Sequence, residues 1–448
     1  MKRLTCLICL IMALVSPSAL ATDADTEMSL WPAYDPVTGL WGYIDAQGDW
    51  GIVPQYGYAG HFHGGCAVAG DASPGTGVEG QGIIDENGEF LLVPEYLIYD
   101  HCSNEDNVAY GVTEVFLLSK GGKKGWFNVE SRYFSGTKWD YAWTQLGWPV
   151  MCVGQGHLHG YLDRATGDVI VPIETCGRRP DEYSDGYFTV AFDGAEHAVL
   201  LDMQGREVVF PEGVHAEAES VMRCGLVAVE NEDGLMGYAD VLGNIMIEPQ
   251  YRFAMDFDGG FAEVIHPESG FLLIDSEGSV AYESDADWGF FGVVDGSAFI
   301  HHVLGNLFLL NADGTVRMTT EVPAFAYAAW YQEPLVTGAP IRLQAGVVGN
   351  SYWCFVDENG QPVTTWWDRP ARVGRLCLDS LGWQAVTKVS GIPAWGYVDA
   401  WGKVVIPYQF HAAEDFQGAL ARVRLDASTE GYINRSGEVV YQWPAQEE

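Results

Sequence analysis

One block of sequence recurs along this chain and constrains its fold more than any other feature. It first reads Trp41-Gly42-Tyr43-Ile44-Asp45-Ala46-Gln47-Gly48, then Ile52-Val53-Pro54-Gln55-Tyr56, then Phe62 to Val68. It returns as Trp395-Gly396-Tyr397-Val398-Asp399-Ala400-Trp401-Gly402, Val405-Ile406-Pro407 and Phe416 to Val423. A third copy runs through Gly237-Tyr238-Ala239-Asp240, Pro249-Gln250-Tyr251 and Phe257 to Val264. Self-similarity at a fixed period points to an array of like units, each too small to bury its own apolar face.

The most persistent mark of a unit is a four-residue turn, Asp/Asn-x-x-Gly, after a short apolar run. It occurs at Asp45–Gly48, Asp85–Gly88, Asp202–Gly205, Asp240–Gly243, Asp275–Gly278, Asn311–Gly314, Asp357–Gly360, Asp399–Gly402 and Asn434–Gly437. Asp163–Gly167 carries one extra residue, and the copy at Asn128 has lost its glycine. The count is roughly eleven units with a period of about 35–46 residues. An Asp or Asn at the first position bonds the backbone two residues on, and Gly at the fourth accepts positive φ. The flanks are rich in Val, Ile, Tyr and Phe, which suits strands. Gly42–Asp45 and Gly51–Val53 are therefore read as two arms of a hairpin. The prolines Pro54, Pro94, Pro172, Pro211, Pro249 and Pro407 cannot donate to a ladder, so each is expected to end the second arm.

These residues resemble the bacterial WG repeat family, whose pattern is Trp-Gly-Tyr-Ile-Asp, a glycine turn, Ile-Pro-x-x-Tyr, then Phe-x-x-Gly-Leu-Ala-x-Val. The first, sixth and tenth units match over nearly their whole length, with Met236 replacing the Trp in the sixth. Gly82–Asp85, Gly160–Asp163 and Gly431–Asn434 keep the glycine and the aliphatic run. The resemblance implies a β-repeat fold and a non-enzymatic interaction role. It brings no catalytic residue, no cofactor and no common ligand.

The N-terminus reads as a secretory signal peptide. Met1-Lys2-Arg3 is basic, Leu4 to Val15 is apolar, and Ala19-x-Ala21 fits a signal-peptidase site, so cleavage is predicted after Ala21. The stretch is short for a membrane span. The mature chain is expected to be exported, periplasmic or extracellular, without membrane insertion. Its seven cysteines lack a CxxC spacing, and an oxidising compartment permits the neighbouring pairs Cys66–Cys102, Cys152–Cys176 and Cys354–Cys377, leaving Cys224 single.

Charge excludes one partner class. The formal charge is −38, from 23 basic and 61 acidic residues, and such a field repels phosphate backbones. Lys120 to Lys124 is the tight basic cluster; it lacks the spacing of a phosphate loop and reads as a hairpin turn. His61-x-His63 and His157-x-His159 would put paired imidazoles on one strand face, but no third ligand follows at motif distance. Each turn offers one Asp where a calcium loop needs several oxygens. No Gly-x-Ser-x-Gly elbow is present. The chain is therefore expected to be no enzyme, to hold no metal, and to bind a protein or cell-envelope polymer. A carbohydrate-binding protein or an extracellular hydrolase on the same frame is the alternative.

Tryptophan supplies the candidate contacts. Trp41, Trp126 and Trp395 fall at the repeat position and are read as packing between units. With them, Gly42, Asp45, Gly48, Asp240, Gly243, Gly396, Asp399 and Gly402 are structural. Trp139, Trp143, Trp148, Trp366, Trp367 and Trp383 lie off the pattern and are the ligand-binding candidates. The expected fold is all-β, with tandem antiparallel meanders forming propeller-like blades in two subdomains or an open superhelix. The expected organisation is a signal peptide (1–21), a flexible leader (22–36), an N-terminal array (37–282), a divergent stretch or insertion (283–350) and a C-terminal array (351–448).

Overall fold

A computed structural model describes residues 29–71, 77, 79–99, 114–144, 148–175, 183–192, 197–218, 220–258, 260–283 and 403–445. Between residues 284 and 399 it describes backbone strands and, from 395 to 399, side chains as well. Among the described residues every regular element is a β-strand, and no helix is long and apolar enough to cross a membrane. The described strands form a tandem array of small antiparallel meanders in sequence order, mostly three- or four-stranded, with one six-stranded sheet. It divides into two compact units. Unit 1 joins residues 1–116 to 371–448, with 335–339, and unit 2 spans 117–334 and 340–370.

In unit 1 the first sheet is β1 (Trp31–Asp35), β2 (Leu40–Ile44) and β3 (Trp50–Tyr56). The next begins with β4 (Tyr58–Ala59), β5 (Cys66–Gly70), β6 (Gln81–Asp85) and β7 (Phe90–Tyr99). Two more come from 384–410 and 412–444. Residues 31–35, read above as leader, are strand β1: Trp31 and Ala33 are buried and the strand pairs with β2 along its length. In unit 2 the stretch from residue 289 to 321, read above as divergent or inserted, forms another four-stranded antiparallel meander.

The repeat motif has a geometric cause. Trp41 pairs with Tyr56 and Tyr43 with Ile52, so Gly42 faces the bulged residues Val53, Pro54 and Gln55. A Cβ on Gly42 would lie 2.5 Å from the Ile52 carbonyl oxygen and 2.7 Å from the Pro54 nitrogen. Gly237 faces Ile247 and Pro249, Gly396 faces Ile406 and Pro407, and Gly160 faces Val171 and Pro172 in the same way. Pro54 therefore does not end the second arm. β3 runs through it to Tyr56, and the bulge on this edge strand accommodates a residue with no N–H. Pro94, Pro172, Pro249 and Pro407 likewise lie inside strands.

The rest of the motif closes the unit. Tyr43 is fully buried, and its hydroxyl donates to the Gly60 carbonyl at 2.9 Å. Tyr238 donates to Met255 at 2.6 Å and Tyr397 to Glu414 at 2.8 Å, each 17 residues downstream. The motif Phe packs on the same ring, with centroids 4.7 Å apart for Tyr43–Phe62, 4.6 Å for Tyr238–Phe257 and 4.9 Å for Tyr397–Phe416. Each buried aromatic of this kind contributes about 1.5–3 kcal/mol. Tyr56 reaches the following unit, donating to the Gly88 carbonyl at 2.8 Å, and burial pushes its phenol up to about 12, with the Asp85 carboxylate adding to the shift.

The Asx turns form as read. Asp45 Oδ1 accepts from the Gln47 and Asp49 amides at 2.9 and 3.0 Å, and Gly48 has φ +88°. The pattern repeats at Asp85, Asp202, Asp240, Asp275 and Asn434. In the copy without a glycine, Asn128 accepts from Ser131 at 2.8 Å and Arg132 takes the left-handed conformation, φ +59°. Asn311–Gly314, Asp357–Gly360 and Gly402 lie outside the described residues. The turn glycine of one unit packs on the outer strand of the unit before it: Gly88 on Ile52, Gly278 on Ile247, Gly437 on Ile406.

The same contact joins the chain ends within unit 1, where Gly48 packs on Val440. Trp31, Ala33 and Ile44 share a core with Leu420, Tyr432 and Trp443. Trp31 Nε1 donates to the Gln417 carbonyl at 2.9 Å, and Tyr432 donates to the Pro32 carbonyl at 3.0 Å. The Arg422 guanidinium lies 5.9 Å from the Trp41 ring and 5.7 Å from the Trp443 ring, and pairs with Glu430 at 2.6 Å. His61 comes near this cluster with its Nδ1 buried and unpartnered, and burial pushes its imidazole down to about 3, with His63 and Arg422 adding to the shift.

Two measurements check these assignments. At Gly243, φ is +82° and a Cβ would strike the Val209 carbonyl oxygen. Gly243→Val is expected to lower stability by about 1–3 kcal/mol; an unchanged melting temperature would contradict the turn. For His61 the folded state binds a proton less readily than the unfolded state, so its contribution is present above pH 6.5 and is lost as pH falls from 6.5 toward about 3. His61→Gln should therefore show a shallower stability loss than wild type across that window, and parallel pH profiles would refute the assignment.

Candidate functional site: a tryptophan and lysine face on unit 2

Of the six candidate tryptophans, Trp139, Trp143 and Trp148 are described with their side chains, and all three lie early in unit 2. Strands Val115–Lys120 and Lys123–Asn128 are joined by Gly121 and Gly122, with φ +60° and +79°, the pair of positive values a two-residue hairpin turn requires. A Cβ on either glycine would meet nothing within 4 Å. Lys120 and Lys123 therefore flank the tip, and Lys124 sits one residue further in.

Trp139 crosses back onto this hairpin. The Lys124 amide donates to the Trp139 carbonyl at 2.7 Å. The Trp139 ring stacks on Trp126, centroids 5.1 Å apart at 28°, and is 7% exposed. Trp139 thus presents little surface to a ligand, and packing on Trp126 is why. Trp126 is itself fully buried and donates from Nε1 to the Arg164 carbonyl at 2.8 Å, tying the hairpin to the next sheet. Above the stack, Lys138 Nζ lies 5.5 Å from the Trp139 centroid. Lys123 pairs with Asp140 at 2.6 Å, both side chains about half exposed (49% and 46%). Asp140 also accepts from the Gly156 amide at 2.8 Å. The Lys123 hydrogen bond, with that amide, holds the Asp140 carboxyl below its usual range.

Trp143 follows Trp139 by four residues along an extended segment, roughly 13 Å. It meets Trp148 edge to face, centroids 5.2 Å apart at 88°, and Trp148 meets Tyr183 at 5.2 Å. Both tryptophans are half-buried, packed against a core of Val150, Cys152, Tyr161, Val171 and Phe188. They are fixed by their neighbours and remain partly accessible. The structure thus packs Trp143 against Trp148 and sets Trp139 apart on Trp126, and of the three it buries only Trp139. Trp367 lies in a two-residue strand in register with Trp353, and Trp366 and Trp383 lie outside the described residues.

Of the repeat tryptophans, Trp126 belongs to this hairpin, and Trp41 and Trp395 sit in unit 1. Trp41 is half-buried between Tyr34 and Trp443, and Trp395 packs against the core formed by Tyr397, Phe410 and Phe416. Sequence reading missed the Arg422–Trp41–Trp443 cluster, because Glu430 holds the place of the repeat Trp in the last unit. That cluster is internally paired and joins two sheets, which makes it structural. His157 and His159 face no group of metal ligands, and none of three or more is found among the described residues. Cys224 is exposed, its amide donating to Asp185 at 3.0 Å; the pairings with Cys102, Cys176 and Cys377 lie outside the described residues.

Comparison with known proteins agrees with the motif. No curated protein matches the chain. Among solved structures, a eukaryotic initiation factor aligns over 80% of this chain and 96% of its own, at 10% identity and TM-score 0.46. BamB from Moraxella catarrhalis aligns over 64% and 92%, at 11% identity and TM-score 0.31. Hsv2p from Kluyveromyces lactis aligns over 61% and 96%, at 9% identity and TM-score 0.34. The family model described as WG containing repeat matches residues 41–69, 236–265 and 395–427, the three segments in which Gly42, Gly237 and Gly396 face the bulge, and the chain is thereby a carrier of WG containing repeats.

Proposed function

We propose that this protein is an exported, non-enzymatic repeat scaffold that binds a protein or a cell-envelope polymer. The observation that carries the reading is the half-buried Trp143–Trp148 pair on unit 2, held in place by Tyr183 and the core beneath it. Rings fixed before a partner arrives lose little freedom on binding, and their partly open faces suit sugar rings or apolar side chains. An array of rigid sheets is suited to presenting such a face, since contacts between neighbouring units fix its geometry. Export rests on the basic start, the apolar run and Ala19-x-Ala21.

Both parts are open to measurement. Capture of envelope fractions by the immobilised protein should fall by about tenfold or more in Trp148→Ala, with the circular dichroism of the folded chain retained. Undiminished capture by a folded Trp148→Ala protein would remove this face from the binding site. N-terminal sequencing of exported protein should begin at Thr22; a mature form that keeps Met1 would overturn the secretory reading.

A further inference from the structure

The lysines of this chain are unevenly placed. Of seven in the whole sequence, four (Lys120, Lys123, Lys124 and Lys138) lie between residues 120 and 138. Between residues 120 and 140 five basic residues face two acidic ones, while the chain as a whole carries −38. The structure gathers them further. Lys120 and Lys123 flank the Gly121-Gly122 tip, and the Lys124–Trp139 pairing brings Lys138 against the same hairpin. Lys123 and Lys138 are exposed.

We propose that this hairpin is a docking patch for an acidic polysaccharide, one whose sugar rings carry carboxylate or sulfate groups. The proposal rests on the binding-scaffold reading and names its ligand class. The negative field of the rest of the chain does not cancel the patch, because at physiological salt charges more than about 8 Å away are largely screened. Lys123 remains half exposed beside Asp140, so an incoming anion can share its ammonium, which has three donors. Lysine is a compact point charge on a flexible stem, suited to a polymer whose anionic groups have no fixed spacing. The partly accessible Trp143 and Trp148, which follow Lys138 in the chain, give sugar rings an aromatic surface to stack on. A rigid nucleic-acid duplex offers no such ring faces, because its bases stack on one another inside the helix.

The test uses the full purified chain on columns of polygalacturonate, dextran sulfate, neutral dextran and single-stranded DNA. Retention is expected on the two acidic polysaccharides and not on dextran, declining steeply as salt rises. Comparing polygalacturonate with dextran sulfate tells which anionic group is preferred. Lys123→Glu with Lys138→Glu should weaken retention by about tenfold or more. Lys403→Glu, an exposed lysine outside the patch, should leave it unchanged. Equal loss in the Lys403→Glu variant would reduce the effect to net charge and overturn the proposal. Stronger retention on single-stranded DNA than on either polysaccharide would overturn the ligand class. Salt-sensitive dimerisation with no column retention would mark the hairpin as a contact between copies instead. If the acidic columns fail while envelope fractions are still captured, the polysaccharide patch is refuted and the scaffold reading stands; if both fail, both fall.

Discussion

The array depends on one close approach. In each well-formed unit the glycine after the repeat tryptophan faces a bulge in the edge strand, and backbone atoms of that strand occupy the space a Cβ would need. The bulge places Tyr56, Tyr251 or Phe410 opposite the tryptophan position, as in Trp41↔Tyr56, Met236↔Tyr251 and Trp395↔Phe410. It also leaves room for a proline in mid-strand. The buried Tyr then ties the unit to the loop before the next strand through a hydrogen bond 17 residues long, and the motif Phe packs on that Tyr. Trp, Gly, Tyr, Pro and Phe are thus five readings of one local geometry.

Units then meet through their turns. Because the turn glycines Gly88, Gly205, Gly278 and Gly437 rest on the outer strand of the preceding unit, each of these turns serves both its own hairpin and its neighbour. The last sheet meets the first by the same contact, Val440 against Gly48, and strand β1 completes that first sheet. Arg422 between Trp41 and Trp443 adds a half-buried ion pair at this junction. Joining the ends limits fraying, the usual weakness of a linear repeat array.

Much of this was legible in sequence because it is written in residues with narrow conformational tolerance. Asp45 and Gly48 announce their turn, and the turn forms. Strand β1 was not legible, since Trp31 and Ala33 pack against the far end of the chain, a partner no local pattern reveals. Pro54 reads as a strand end because it lacks a donor, and only the bulge, which no local pattern shows, makes that lack harmless. The Asn231–Gly234 turn was overlooked although it has the same Asx geometry, Asn231 accepting from Asp233 and Leu235 at 3.0 Å. Arg132 shows why the third copy reads as degenerate: an arginine holds the left-handed position that glycine holds elsewhere. At the candidate site, Trp139 lay off the pattern and so looked available, but it packs on the repeat tryptophan Trp126. Trp143 and Trp148 carry no sequence signal beyond their residue type, and their half-open setting comes from the core beneath them.

The central claim is that the glycine facing the bulge specifies the unit, and Gly237 isolates it. That position lies in the copy where methionine replaces tryptophan, so its substitution tests the bulge without the indole. Native-state hydrogen exchange on Gly237→Ala reads the outcome strand by strand. The account predicts a marked loss of protection in the sheet from Val214 to Tyr251 and its neighbour from Phe253 to Glu283, while the sheets of unit 1 keep theirs. Full protection in strands Met236–Asp240 and Ile245–Tyr251 of that variant would contradict it.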